Sequence, residues 1–282
     1  MEGSLFSLLA FGVSMPYLYF IAFGFGIIIG SFLNVYIYRF HTGKSLAGSS
    51  HCLSCTTPLK WYELFPLFSF LFLRAKCRTC GCSIPSRYFL VELLTGLLFA
   101  AALLLSLDLV EVLIVWFIFS ILVVITVYDF YHYIIPDSLT VALTLAILIL
   151  FGYQYLLFPF EISFLLFEVL AALGGVGFFL FLWLISKGRW LGFGDVKLAF
   201  PLGLLAGSSL VFSFVVLSFW IGAIVSLLII GFEKVSRGKA HLHLLAPALT
   251  MKSAVPFAPF LIASSLVTLL TNFNVLELFS FA

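Results

Sequence analysis

Four of the five cysteines in this 282-residue chain stand as Cys52-Leu53-Ser54-Cys55 and Cys77-Arg78-Thr79-Cys80, two C-x-x-C pairs in one long hydrophilic stretch. Each pair turns two thiolates toward one point, and two pairs make the tetrahedral four-sulfur set that zinc binds at about 2.3 Å per bond. Four protein ligands leave no position open to water, so such a centre folds a loop and does not hydrolyse anything. Two redox pairs or unligated thiols are the alternative reading. Cys82 lies just beyond Cys80, where it either substitutes as a ligand or packs as a free thiol, and His51 is a neighbour of Cys52.

The second chemical resource is carboxylate. The chain has only four aspartates, Asp108, Asp129, Asp137 and Asp195, and the last three fall at the ends of apolar runs. An ionisable group at membrane depth costs about 2.5–3.5 kcal/mol on insertion scales, which makes each a functional hypothesis. Gly192 and Gly194 precede Asp195, and without Cβ atoms they admit a close approach by backbone or substrate and permit positive φ. Two carboxyls in a low-dielectric site share a proton, so that one is a base toward water while the other donates to a scissile carbonyl. That is aspartyl protease chemistry. Structural roles compete with it: Asp137 follows Pro136 at a helix start and suits a first-turn acid. Asp129 could pair with His132 or Lys197, and Asp195 could cap its own helix, with Lys197 a surface anchor.

The elements that must position these groups are helices in lipid. The chain is 63% hydrophobic and 9% charged, against roughly a quarter charged in average proteins, which excludes soluble, disordered, collagen-like and disulfide-scaffold classes. A span needs about 20 apolar residues. Tyr17–Tyr38, Ser138–Phe160 and Ser253–Leu276 carry no charge, Val112–Tyr128 is a shorter clean run, and a run from Phe89 to Leu107 includes Glu92. Ile162–Ile185 is interrupted only by Glu168. Leu198–Phe232 is too long for one span and divides at Gly207-Ser208-Ser209, which brings the count to about eight segments.

Charge placement tests that count, because Lys and Arg collect on the cytoplasmic side. With the N-terminus outside, all fourteen basic residues fall in loops at about 39–88, 129–137, 187–197 and 233–252, while the outer connections hold only Glu2, Asp108, Glu111, Glu161 and Glu277. The cysteine stretch is then cytoplasmic, where disulfides are disfavoured. Residues 2–16 lack the basic start of a signal peptide, and Leu5–Phe11 lies at the outer surface or extends the first span. Leu64–Leu73 is too short to span and rests on the membrane or on the helices. No internal repeat is evident.

Taken together, the ordered motifs resemble the type IV prepilin leader peptidases, membrane aspartyl proteases of the GxGD type. Gly30-Ser31-Phe32-Leu33-Asn34-Val35 with Arg39 matches the family opening, and the paired C-x-x-C stretch follows. Next come Ser86-Arg87-Tyr88 with Leu90-Val91-Glu92, Tyr128-Asp129 with Ile135-Pro136-Asp137, and Gly192–Leu198 as GxGDxKL. Val255–Phe260 resembles the late PFGPF motif, with Ala258 in place of glycine; Leu53 and Phe89 stand where proline is usual.

The resemblance implies catalytic Asp129 and Asp195, with Gly192, Gly194 and Lys197 as supporting motif. It also implies prepilin or pseudopilin-like precursors as partners, cut after a glycine and before an apolar stem, and N-methylation of the new terminus from S-adenosylmethionine. The expected protein is therefore an all-α polytopic membrane helix bundle of the bacterial cytoplasmic (inner) membrane. It is divided into a first membrane segment (1–38), a cytoplasmic loop with a zinc site at Cys52, Cys55, Cys77 and Cys80 (39–88), and a bundle carrying the acids (89–282). The lipid bilayer is its surroundings, and no nucleic-acid partner is expected. A peptidase without methylation, a cation transporter using interfacial acids and a zinc-loop scaffold are the competing readings.

Overall fold

The computed structural model describes residues 15–40, 45, 48, 50–159, 161–236 and 255–280. Leu5–Phe11 and the basic residues Lys44, Arg237, Lys239 and Lys252 lie outside them. The described residues form ten α-helices and no strand beyond isolated bridges. They are α1 Met15–Arg39, α2 Phe68–Phe72, α3 Arg87–Ala102, α4 Leu109–His132, α5 Asp137–Leu157, α6 Ile162–Ser186, α7 Phe193–Ala206, α8 Val211–Ser236, α9 Ala258–Thr271 and α10 Val275–Ser280. A 3₁₀ turn covers Trp61–Leu64.

Each apolar segment read from the sequence contains a helix within its described residues. Five are long and apolar enough to cross a membrane: α1, α4, α5, α6 and Val211–Gly231 of α8. The others are shorter, 16 residues for α3 and 14 each for α7 and α9. The last expected segment, Ser253–Leu276, is broken in the described part. Its helix begins at Ala258 with Pro259 in the first turn, and ends where Asn272 takes a left-handed φ of 51°. Proline suits a first turn and asparagine tolerates the left-handed cap.

The chain divides into two compact units, Met1–Val124 and Ile125–Ala282. In the first, α1 lies against α3 at backbone distance. Gly26 and Gly30 make a G-x-x-x-G face, and a Cβ on Gly26 would stand 2.7 Å from both Gly96 Cα and Thr95 O. Small residues of this kind let helices in lipid gain dispersion contacts where no hydrophobic effect drives them together. Farther along, Trp116 stacks on Phe99 at 4.6 Å and donates its indole N–H to the Phe99 carbonyl at 3.0 Å.

In the second unit the short α7 is the hub, with α5, α6, α8 and α9 all packed on it. Ten of its fourteen residues are buried, so the helix is apolar nearly all round, with Asp195 and Lys197 as its charged residues. A second buried acid, Glu168 of α6, closes the turn after α7: its carboxylate accepts the Ser208 N–H at 2.6 Å and the Ser208 hydroxyl at 2.8 Å. Gly207 there has φ of 81°, which a Cβ would oppose.

Candidate active site and metal centre

The start of α7 is built around Asp195. Gly192 is the N-cap, and its N–H donates to Asp195 Oδ2 at 3.0 Å, so the acid satisfies one of the free donors at the helix start from inside the first turn. The N-cap place weighed for Asp195 is thus taken by Gly192, and Asp195, three residues further on, gives one carboxyl oxygen to that residue's N–H. Neither glycine is left-handed: Gly192 has φ of −73°, and Gly194 is absent from the positive-φ positions. Their use is close approach. A Cβ on Gly194 would stand 3.1 Å from Ile135 Cβ, and one on Gly192 would stand 3.2 Å from Asp195 Oδ2.

Asp129, in the last turn of α4, is 5% exposed and Asp195 is 7% exposed. The two carboxyls lie near enough for the charge of Asp129 to act directly on Asp195. Asp129 receives a hydrogen bond from the backbone N–H of Ala258, while its Oδ2 is buried with no hydrogen-bond partner. Ala258 is itself fully buried at the start of α9. Beside it, Phe257 sits in an aromatic cluster, 5.3 Å from the Phe219 ring and 6.2 Å from that of Phe179. The late Val255–Phe260 motif therefore holds an N–H donor against Asp129. Sequence reading had matched that motif without seeing its task, because the link is a backbone N–H and carries no side-chain signature.

The other acids are not gathered here. Asp137 begins α5 behind Pro136 and forms an ion pair with Lys197, both side chains being exposed. Lys197 thus ties the start of α5 to α7, and the pairings of Asp129 with Lys197 or His132 do not form. His132 packs instead against the Tyr128 ring at 4.3 Å. Asp108 caps α4, its Oδ1 accepting from Val110 and Glu111 N–H at 3.0 Å each.

In the first unit the four thiols converge. The Sγ atoms of Cys52, Cys55, Cys77 and Cys80 all lie within 4.8 Å of one another, and this cluster can hold a metal ion. Cys52 to Cys80 is 3.9 Å and Cys55 to Cys77 is 4.0 Å. Zinc at about 2.3 Å from each of four sulfurs sets tetrahedral edges of about 3.8 Å, so the donor set fits that ion. Hydrogen bonding to Thr57 pulls the Cys55 thiol down to about 6, while neighbouring thiols and burial push Cys80 up.

The two knuckles repeat one another. In the first, Thr56 N donates to Cys52 O, Cys52 N to Thr57 O, and Leu59 N to Ser50 O. In the second, Gly81 N donates to Cys77 O, Cys77 N to Cys82 O, and Ile84 N to Ala75 O. Bridges pair His51 with Pro58 and Lys76 with Ser83, and Thr56 and Gly81 both have positive φ. This is an internal repeat that sequence reading did not detect, since little beyond the cysteines is common to the two copies. It puts Cys82 in the place of Thr57, beside the cluster, 3.5 Å from Cys52 Sγ.

The apolar stretch between the knuckles has two faces. Leu67 is buried and donates its N–H to Glu92 Oε2 at 2.8 Å, and Phe70 meets Phe89 at 5.3 Å, so one side packs on α3. Phe68, Leu71 and Phe72 stay exposed.

Comparison with known proteins covers both units. A family model described as Bacterial Peptidase A24 N-terminal domain matches residues 25–106, and one described as Type IV leader peptidase family matches residues 116–227. The prepilin leader peptidase/N-methyltransferase of Dickeya chrysanthemi is 31% identical over 94% of this chain and 97% of its own length. The protein of that name from Aeromonas hydrophila is 30% identical over 93% of this chain and 94% of its own length. The Myxococcus xanthus protein is 39% identical over 64% of this chain, and that match spans only 54% of the relative. No solved structure matches.

Proposed function

Because the chain belongs to the type IV leader peptidase family, we infer that it is a membrane aspartic endopeptidase that removes the leader from prepilin-like precursors and N-methylates the new terminus. The observation that carries the hydrolytic half is the pair of buried carboxyls, one of which keeps an oxygen without a partner.

Asp129 and Asp195 are the catalytic pair in this reading. With one proton between them, the ionised carboxylate takes a proton from water as the water oxygen attacks the scissile carbonyl carbon. The protonated partner donates to the carbonyl oxygen, and collapse of the tetrahedral adduct breaks the C–N bond as the amine takes a proton back. The bonds that Gly192 and Ala258 give to the two acids hold both side chains in place, so little reorganisation is left for the reaction itself. Asp129 ends α4 and Asp195 begins α7, which suits a bond at the edge of a precursor's apolar stem. By the positive-inside rule that edge is the cytoplasmic one.

Zinc at the four cysteines has a structural task, joining the two knuckles. S-adenosylmethionine, when bound, supplies the methyl group. Mass spectrometry of a prepilin-like substrate incubated with the pure protein and S-adenosylmethionine tests the reading. Cleaved and methylated product is expected; an intact precursor would overturn the assignment, and cleaved but unmethylated product would remove the transferase half.

A further inference from the structure

The outer side of the stretch between the knuckles is left open by the described residues. Trp61, Phe65, Phe68, Leu71 and Phe72 lie exposed there, Trp61 at 79% and Phe72 at 83%. Proteins rarely leave a large contiguous apolar patch to water, so five such side chains need an apolar partner. The inner side is fastened. Leu67 enters α2 at a φ of 60°, uncommon for a residue with a Cβ, and its N–H is held by the Glu92 carboxylate while Phe70 packs on Phe89. The outer face is therefore presented by a fixed support on α3.

The depth of that support follows from helix length. α3 lies along the membrane-length α1 and has 16 residues, about 24 Å at 1.5 Å each, against a hydrocarbon core of about 30 Å. Its start at Arg87 is thus close to the lipid boundary. Phe89 and Glu92, which hold α2, are two and five residues farther in, about 3 Å and 8 Å along the axis. Interfacial helices bury their apolar face about 5–10 Å into the boundary between headgroups and acyl chains. The two depths coincide, and Trp61 beside Tyr62 supplies the ring types that concentrate at that level.

Charge selects the partner. Lys60, Arg74, Lys76 and Arg78 flank the patch in the chain, all exposed, and none has a carboxylate partner among the described residues. Arg78 reaches the Tyr62 hydroxyl at 2.5 Å, which brings the two flanks together. Glu63, the one acid between the knuckles, already accepts the Lys60 backbone N–H at 2.8 Å. A second copy docked on this face would bring the same four cations against these. Phosphates of an anionic leaflet attract each of them, as they attract basic segments next to membrane spans.

We propose that this face is an interfacial anchor: its five apolar side chains enter the cytoplasmic leaflet, and Lys60, Arg74, Lys76 and Arg78 bind the phosphates of anionic phospholipids. The anchor holds the cysteine knuckles at the leaflet surface, and it depends on neither half of the reaction proposed above.

The test replaces Phe72 of the full-length protein by the photocrosslinker p-benzoylphenylalanine and reconstitutes the protein in vesicles of equal parts phosphatidylcholine and phosphatidylglycerol. Adducts formed on illumination are identified by mass spectrometry. Adducts carrying one phospholipid are expected. Adducts to a second copy, adducts that shift to an added prepilin-like precursor, or no adduct at all would overturn the anchor. In vesicles of phosphatidylcholine alone, and with Arg74→Gln and Lys76→Gln combined in the mixed vesicles, the yield of lipid adduct is expected to fall at least threefold. Equal yields would overturn the part given to the phosphates. If the protein altered at Phe72 does not fold, the same crosslinker in place of Trp61 decides the matter.

Discussion

The four thiols and the two carboxyls are assembled by opposite means. Each thiol pair is held by hydrogen bonds inside its own short turn, from Ser50 to Leu59 in one knuckle and from Ala75 to Ile84 in the other. The carboxyls come from the end of α4 and the start of α7, and each is held by a backbone N–H, Gly192 for Asp195 and Ala258 for Asp129. A metal centre brings its own organising free energy, so local turns suffice to present its ligands. Two acids repel when both are ionised, and only the packing of a whole bundle keeps them together.

That contrast can be broken most sharply at the acids. Asp129→Asn and Asp195→Asn are each expected to lower leader removal by about 10³-fold, within the range for loss of a general acid or base. Cleavage is followed by mass spectrometry, and metal content by elemental analysis of the same samples. If the metal fell too, the two regions would not be independent. Next in size, Cys52→Ser is expected to lose bound metal almost completely and to open the stretch between α1 and α3 to proteolysis, because structural zinc supplies about 10–16 kcal/mol to small metal-dependent folds.

Smaller effects sharpen the comparison. Gly26→Leu drives a side chain into the Gly96 backbone and is expected to destabilise the first unit by about 1–3 kcal/mol, read as a lowered melting temperature in detergent. Asp137→Asn breaks an exposed ion pair worth about 0–1 kcal/mol, so leader removal should stay within about threefold. Abolished cleavage in that variant would transfer the catalytic role to Asp137. Least of all, Cys82→Thr reproduces the first knuckle's Thr57 and is expected to keep the metal stoichiometry unchanged. Loss of metal there would make Cys82 a ligand.

Much of this was legible beforehand. The apolar runs, the turn at Gly207-Ser208-Ser209 and the convergence of Cys52, Cys55, Cys77 and Cys80 follow from composition and short spacing, which act within a few residues of themselves. The helix after Ser253 is shorter than the apolar run because hydropathy counts apolar residues and ignores the signals at Pro259 and Asn272 that start and end the helix. Lys197 was read as a surface anchor or a partner of Asp129, and it pairs with Asp137, because proximity across three helices has no trace in local pattern. Glu168 was seen only as an interruption of a span, while its partner Ser208 lies on a different connection.

By itself the sequence determined the membrane character, the all-helical class and the four thiols that converge, since each depends on residue type counted over short distances. Only the tertiary structure decided which acids are buried, which oxygen of Asp129 is left unsatisfied, and that the Ala258 N–H and the Gly192 N–H hold Asp129 and Asp195. Those outcomes depend on helices distant in the chain packing around α7, where side-chain volume and backbone hydrogen bonds select one arrangement.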